Sequence, residues 1–209
     1  MTRILIADDH TIVRKGLRQI LLEEFPTALI EEAGDADETL KKVMKAEFDI
    51  VISDLTMPGR SGLESLQQIK QHYPKLPVLI LSMHSEDHYA LRVLKAGASG
   101  YLNKDSAPDE LVKAVHRILS GKKYITSSIA EKLASTLDKD TEKSSHELLS
   151  DREFEVLKLI AAGKSVSDIA ASLFLSVTTV STYRARVLGK MNMNTNADLT
   201  LYAIENKLL

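Results

Sequence analysis

The chain has 209 residues, 44% of them hydrophobic and 27% charged, enough for two soluble domains with separate cores. A formal net charge of −2 excludes indiscriminate coating of polyanions, so any nucleic-acid contact must rest on locally placed cations. With no cysteine, disulfides and thiolate metal sites are excluded. The opening Met1-Thr2-Arg3-Ile4 is too short in apolar character for a signal core or a membrane span, so no membrane association and a cytoplasmic location are expected.

Over residues 1–120, short apolar runs alternate with helical patterns. The runs are Ile4–Ala7, Ala28–Glu32, Ile50–Ser53, Val78–Ser82 and Gly100–Asn103, mostly β-branched or Leu-rich, as buried parallel strands are. Between them, spacings such as Ile12, Val13, Leu17, Ile20, Leu21 and Leu63, Leu66, Ile69 predict helices. Five strands alternating with five helices predict an α/β, five-stranded, doubly wound parallel sheet with right-handed crossovers. In residues 121–147, Ile125, Ile129, Leu133 and Leu137 recur every four residues and suggest a helix. The polar, aperiodic run Asp138–Glu147 after them reads as linker.

Residues 148–209 are read as an all-α unit of four helices. Ser150 and Glu153 form a capping-box signal for Asp151–Ala162, which Gly163 stops. A helix over Val166–Leu173, the turn Phe174-Leu175-Ser176, and a longer helix over Val177–Met191 capped by Ser176 match helix-turn-helix geometry. A last helix spans Asn196–Asn206.

Chemistry is expected outside the carboxyl ends of the strands. Strand one ends in Asp8-Asp9, strand three in Asp54, strand four in Ser82 and strand five in Lys104. Clustered carboxylates suit a hard oxygen-ligated ion such as Mg²⁺. A phosphoryl group on one of them would be neutralised by that ion and by the lysine ammonium. Singly, each residue has a plainer reading: Asp9 as the cap of a helix near Thr11, Lys104 as a surface lysine. In the third C-terminal helix, Val177, Val180, Val187, Leu188 and Met191 are candidate core contacts. Thr178, Thr179, Ser181, Thr182, Arg184, Arg186 and Lys190 line the other side, with no acid between Asp168 and Asp198. Hydroxyls and cations there suit phosphate contact and base reading. Composition alone leaves open the solvated face of an ordinary bundle helix.

Ile4–Asp9, Asp54-Leu-Thr-Met-Pro-Gly59, Leu79–Ser82 and Gly97–Lys104 together resemble a response-regulator receiver domain of flavodoxin-like fold. The resemblance implies that Asp54 takes a phosphoryl group from a sensor histidine kinase, forming an acyl phosphate. It implies Mg²⁺ held by Asp9, Asp54 and the Thr56 backbone carbonyl, with Asp8 acting through water. Lys104 would pair with phosphoryl oxygens, and Ser82 and Tyr101 would be the switch hydroxyl and switch aromatic, Tyr101 moving from exposed to buried. Met83 stands where many receivers carry a small residue and bears on access of water to the acyl phosphate.

Leu149–Glu153, Val156–Gly163, Ile169-Ala170 and Leu175–Arg184 resemble the LuxR-type DNA-binding domain, and the pairing is the NarL/FixJ layout. The resemblance implies that Ser181, Thr182 and Ala185 face base edges of double-stranded DNA. Thr178, Thr179, Tyr183, Arg184, Arg186 and Lys190 would meet phosphates, so removing Arg184 should flatten the salt dependence of binding. It further implies a homodimer on an inverted repeat, paired through the last helix, with RNA polymerase as a further possible partner. The plainer reading of that helix is that Ala197, Leu199, Leu201, Tyr202 and Ile204 complete the core. Two other functions compete with that of a non-enzymatic transcription regulator. A Mg²⁺-dependent phosphohydrolase needs a second Asp two residues after the nucleophile, where Thr56 stands. A constitutive DNA-binding or interaction module would not need the intact set Asp9, Asp54, Ser82 and Lys104.

Overall fold

A computed structural model describes residues 1–57, 62–83, 86–137, 145–206 and 208–209. Pro58 and Gly59 of the expected turn, and residues 138–144 of the expected linker, lie outside the described residues. The chain divides into two compact units, Met1–Lys139 and Asp140–Leu209.

The first unit contains β1 (Arg3–Ala7), β2 (Leu29–Ala33), β3 (Ile50–Asp54), β4 (Val78–Ser82) and β5 (Gly100–Asn103), all parallel, in the order β2-β1-β3-β4-β5. They alternate with α1 (Thr11–Glu24), α2 (Ala36–Lys45), α3 (Gly62–His72), α4 (Glu86–Lys95) and α5 (Ala107–Leu119). The apolar runs of β3 and β4 are buried along their whole length, because helices cover both faces of a parallel sheet. Ile4, Ile6, Ile50, Ile52, Leu79 and Leu102 meet Leu17 and Leu21 of α1 and Leu111, Val115 and Ile118 of α5 in one core. β2 starts one residue later than expected and carries Glu31 and Glu32, whose side chains leave the edge strand on opposite faces. Arg3 and Arg14 pair with them at 3.2 Å each, which is what allows two acids in a strand.

The first part of the expected linker is not free chain. Tyr124 donates its backbone N–H to the Ser99 carbonyl at 2.8 Å and forms a parallel bridge with Gly100 beside β5. Its hydroxyl donates to Glu110 on α5 at 2.7 Å. The glycine is required: a Cβ at position 100 would lie 3.0 Å from the Tyr124 Cβ and carbonyl oxygen. Helix α6 (Ser127–Leu137) then packs against α4, with Ile129 buried. Of the apolar spacing seen in the sequence, Ile129 is the member that docks most fully.

The second unit opens with a single 3₁₀ turn, Ser145–Leu148, followed by α7 (Asp151–Ala161), α8 (Val166–Ser172), α9 (Val177–Met191) and α10 (Asn196–Glu205). Helices α7, α8 and α10 each begin with a full capping box: Ser150 with Glu153, Ser165 with Asp168, and Thr195 with Asp198. Gly163 at φ 80° stops α7, and Asn192 at φ 55° closes α9 in the left-handed region. Phe154, Leu157, Ile169, Val180, Val187 and Leu199 form the core of this unit.

Glu153 does more than cap. Its carboxylate accepts from the Ser150 N–H at 2.7 Å and from Lys190 Nζ at 2.6 Å, tying the start of α7 to the end of α9. Burial would raise its pKa, but the donors from Lys190 and Ser150 outweigh it and hold the carboxyl below the usual range. A depressed carboxylate stabilises the fold above its unfolded pKa and loses that contribution as pH falls through the folded value. Glu153→Ala is expected to cost the C-terminal unit about 2 kcal/mol, from one cap and one charged hydrogen bond. Urea melts across acid pH check this, since the wild-type advantage must vanish once Glu153 is protonated.

Candidate functional site

The strand order reverses direction between β1 and β3, and at their carboxyl ends a crevice opens where ligands bind in such sheets. β1 delivers Asp8 and Asp9, β3 delivers Asp54, β4 delivers Ser82, and the residue after β5 is Lys104. The structure brings all five to one rim. Asp8, Asp54 and Ser82 are buried, and Lys104 Nζ lies 2.7 Å from both Asp54 Oδ2 and Asp8 Oδ2. The Thr56 N–H donates to Asp54 Oδ1 at 3.3 Å, which leaves the peptide of Thr56 beside the carboxylate.

His10 also belongs to this group, a member the sequence reading missed. Asp8, Asp9, His10 and Asp54 each offer a ligand atom, all within 4.8 Å of one another. His10 Nδ1 lies 2.8 Å from Asp9 Oδ1, and its backbone N–H donates to Asp8 Oδ1 at 2.8 Å. The signal was its position directly after the acidic pair. His10, not Asp9, is the N-cap residue of α1, so the capping alternative for Asp9 is set aside. Asp8 Oδ2 and Asp9 Oδ1 are buried and accept no hydrogen bond of good geometry, although Lys104 and His10 stand close to them. Three carboxylates facing a single lysine leave a surplus of negative charge, and the donors are mostly hard oxygens. That set could bind a divalent cation such as Mg²⁺.

Burial pushes the Asp54 carboxyl above the usual carboxylate range and Asp8 adds to this, against the lowering effect of Lys104. For Lys104, burial alone would lower the pKa, but the carboxylates of Asp54 and Asp8 more than offset it and hold the ammonium above its ordinary value. Each group thus favours the charged form of the other against the cost of desolvation, a common signature of a working site.

Tyr101, expected to be exposed until phosphorylation, is instead fully buried, one residue after Gly100 in β5. Desolvating the aromatic ring favours this inward position. The buried position therefore needs no phosphoryl group to form. Met83 is 64% exposed at the rim beside Ser82.

In the second unit, α9 presents Val177, Thr178, Ser181, Thr182, Ala185 and Arg186 to solvent and buries Val180, Val187 and Met191. Thr179 is part of the cap, its N–H donating to Ser176 Oγ at 3.0 Å. Tyr183 and Arg184 are half-buried. Arg184 Nε donates to Asn196 Oδ1 at 2.6 Å, and Lys190 is the partner of Glu153. On α10, Leu199 and Ala203 are buried in the core, as the plainer reading expects, whereas Leu201 and Ile204 are 59% exposed and not used by it.

Residues 4–116 match the response regulator receiver domain family, and residues 147–203 match the bacterial regulatory proteins of the luxR family. Across 209 residues the chain is 35% identical to the response regulator UvrY of Escherichia coli strain K12, covering all of this chain and 96% of that one. It is 36% identical over 214 residues to the oxygen regulatory protein NreC of Staphylococcus carnosus, covering 99% of each. Among solved structures it is similar to RcsB of Salmonella enterica serovar Typhimurium bound to promoter rprA in the presence of the phosphomimetic BeF₃⁻. That match has a TM-score of 0.64 and 29% identity, with 97% of this chain and 98% of that one covered.

Proposed function

Since the chain belongs to the NarL/FixJ family of two-component response regulators, we propose that Asp54 is its phosphoacceptor and that phosphorylation there controls DNA engagement by α9. The observation that carries this reading is the single ammonium of Lys104 held 2.7 Å from both Asp8 and Asp54 at the strand ends. Asp54 Oδ attacks the phosphorus of a phosphohistidine on a sensor kinase; the P–N bond breaks, a P–O bond forms, and the imidazole leaves. Lys104 stays within reach of the new phosphoryl oxygens, and the buried Ser82 hydroxyl is placed to donate to one of them. Asp9, Asp54 and the Thr56 carbonyl, with Asp8 through water, would hold Mg²⁺. Bound there, the ion supplies charge neutralisation for the transferring phosphoryl group.

Phosphorylation adds about −1.5 to −2 charge and three acceptors beside Ser82, and its effect reaches the Tyr101 equilibrium through β4 and β5. The readout we propose is homodimerisation and binding to an inverted repeat in double-stranded DNA. Ser181, Thr182 and Ala185 meet base edges, Thr178 and Arg186 lie beside them for phosphates, and Leu201 and Ile204 are offered for pairing of the domains. We place this work in the cytoplasm, where both DNA and kinase transmitter domains reside; among the described residues no helix is long and apolar enough to cross a membrane.

The test is DNA affinity and oligomeric state with and without beryllofluoride and Mg²⁺. Wild type is expected to dimerise and bind more tightly with both present, and Asp54→Ala to show neither change. If wild type itself does not respond, the switch reading fails.

A further inference from the structure

We infer that Arg186 is the cation of α9 that meets DNA phosphate, while Arg184 and Lys190 are positioning residues that fix α9 within its own domain. The inference rests on the DNA-binding reading above and revises the roles that the family resemblance suggests for two of the three cations.

Position along the helix separates them first. Arg184 is one turn on from the buried Val180 and three residues before the buried Val187, so its stem runs along the inner edge of α9. Arg186 is one turn on from Thr182, on the exposed side. Partners separate them further. Arg184 Nε donates at 2.6 Å to Asn196 Oδ1, on the first residue of α10. Lys190 Nζ donates at 2.6 Å to Glu153 Oε2, a side chain only 3% exposed. Turning Lys190 outward to a phosphate would leave that buried carboxylate without its counter-charge, and the exchange gains little because the new ion pair would be solvated. Among the described residues Arg186 has no hydrogen-bonding or ionic partner, and contact with DNA would break nothing.

The two tethers point in different directions from α9, one to the start of α10 and one to the start of α7. Together they set the rotation of α9 about its axis, and with it the direction in which Ser181, Thr182 and Ala185 face. Loss of a positioning residue should therefore weaken binding without changing how many counterions are released. Loss of a phosphate ligand should lower the salt slope by about 0.9 for each domain bound.

The full chain, with beryllofluoride and Mg²⁺, is titrated against a mixed-sequence DNA duplex over a series of salt concentrations. Arg186→Ala is expected to flatten the slope. Arg184→Ala is expected to weaken binding about fivefold, one hydrogen bond's worth, at every salt with the slope unchanged. Asn196→Ala is the sharper variant, because it frees Arg184 without removing its charge and leaves the Thr195–Asp198 capping box intact. A positioning role predicts weaker binding, whereas a phosphate-binding Arg184 predicts equal or tighter binding. The inference is overturned if Arg184→Ala flattens the slope as Arg186→Ala does, or if Asn196→Ala leaves affinity unchanged or improved. Failure of the wild type to bind any duplex in a salt-dependent manner would instead overturn the DNA-binding reading, and this inference with it.

Discussion

Lys104→Met is expected to lower the stability of the receiver unit by about 3 kcal/mol near neutral pH and to abolish the response to beryllofluoride. The substitution keeps the volume of the side chain and removes its charge. Asp8 and Asp54 then remain buried with no cation between them, and removal of one partner from a buried ion pair typically costs 3–5 kcal/mol. The lower figure applies because Asp54 can protonate: burial already raises its pKa, and without Lys104 it rises further. A carboxyl with a raised folded pKa destabilises the protein once pH passes its unfolded value, and the penalty grows until the folded value is reached. The deficit of the variant should therefore shrink as pH falls toward about 4, the unfolded carboxyl value, and vanish below it, where both states are protonated. The wild type shows the opposite edge: Lys104 is held above its ordinary value, so its contribution is complete below that value and fades as pH climbs past it. Urea midpoints of the receiver transition in the full chain, at neutral and at acid pH, decide the matter. An equal deficit at both would mean that packing, not charge, holds Lys104 in place.

Gly62→Ala should lower phosphorylation at least tenfold while leaving the C-terminal unit intact. A Cβ at position 62 would fall inside the contact radius of the Asp54 carbonyl oxygen and 2.8 Å from the Leu55 Cα. Both obstacles are backbone, so no side-chain rotation relieves them. The Gly62 N–H meanwhile donates to the Leu55 carbonyl at 2.8 Å, pinning the start of α3 against the end of β3. Overpacking costs typically 1–3 kcal/mol, and here the strain falls on the peptide that carries the phosphoacceptor. Phosphoryl incorporation from a small phosphodonor should drop at least tenfold with melting of the second unit unchanged, since a displacement near 1 Å costs about that much or more. Normal incorporation would show that the loop accommodates the methyl group.

How much of this was legible beforehand depends on whether the signal was local. The five strands were readable because parallel strands buried on both faces leave unbroken apolar runs, and the rim residues followed from where those runs end. The capping box of α7 was readable because Ser150 and Glu153 are three residues apart, whereas those of α8 and α10 were not read. What escaped were pairings across long separations. Nothing near Tyr124 in sequence announces that it closes against Ser99 and Glu110. Lys190 and Glu153 are 37 positions apart, so nothing near the lysine in sequence shows that it has a partner inside the fold. The burial of Tyr101 was hidden for another reason: a tyrosine suits a buried or an exposed place in a strand, and only packing decides which.

An open sheet has two free margins, and each is a template on which another chain could add a strand. At β2 the margin carries paired acids, and the Ile30 carbonyl is taken by the Arg18 guanidinium at 2.8 Å. At β5 the protection is the stretch around Tyr124, laid alongside as a partial sixth strand. Truncation of the chain before Lys122 would remove that guard and leave the backbone of β5 open to solvent. A shortened receiver is thus expected to self-associate through its sheet, and such an aggregate would be easy to mistake for the dimer proposed to form on phosphorylation.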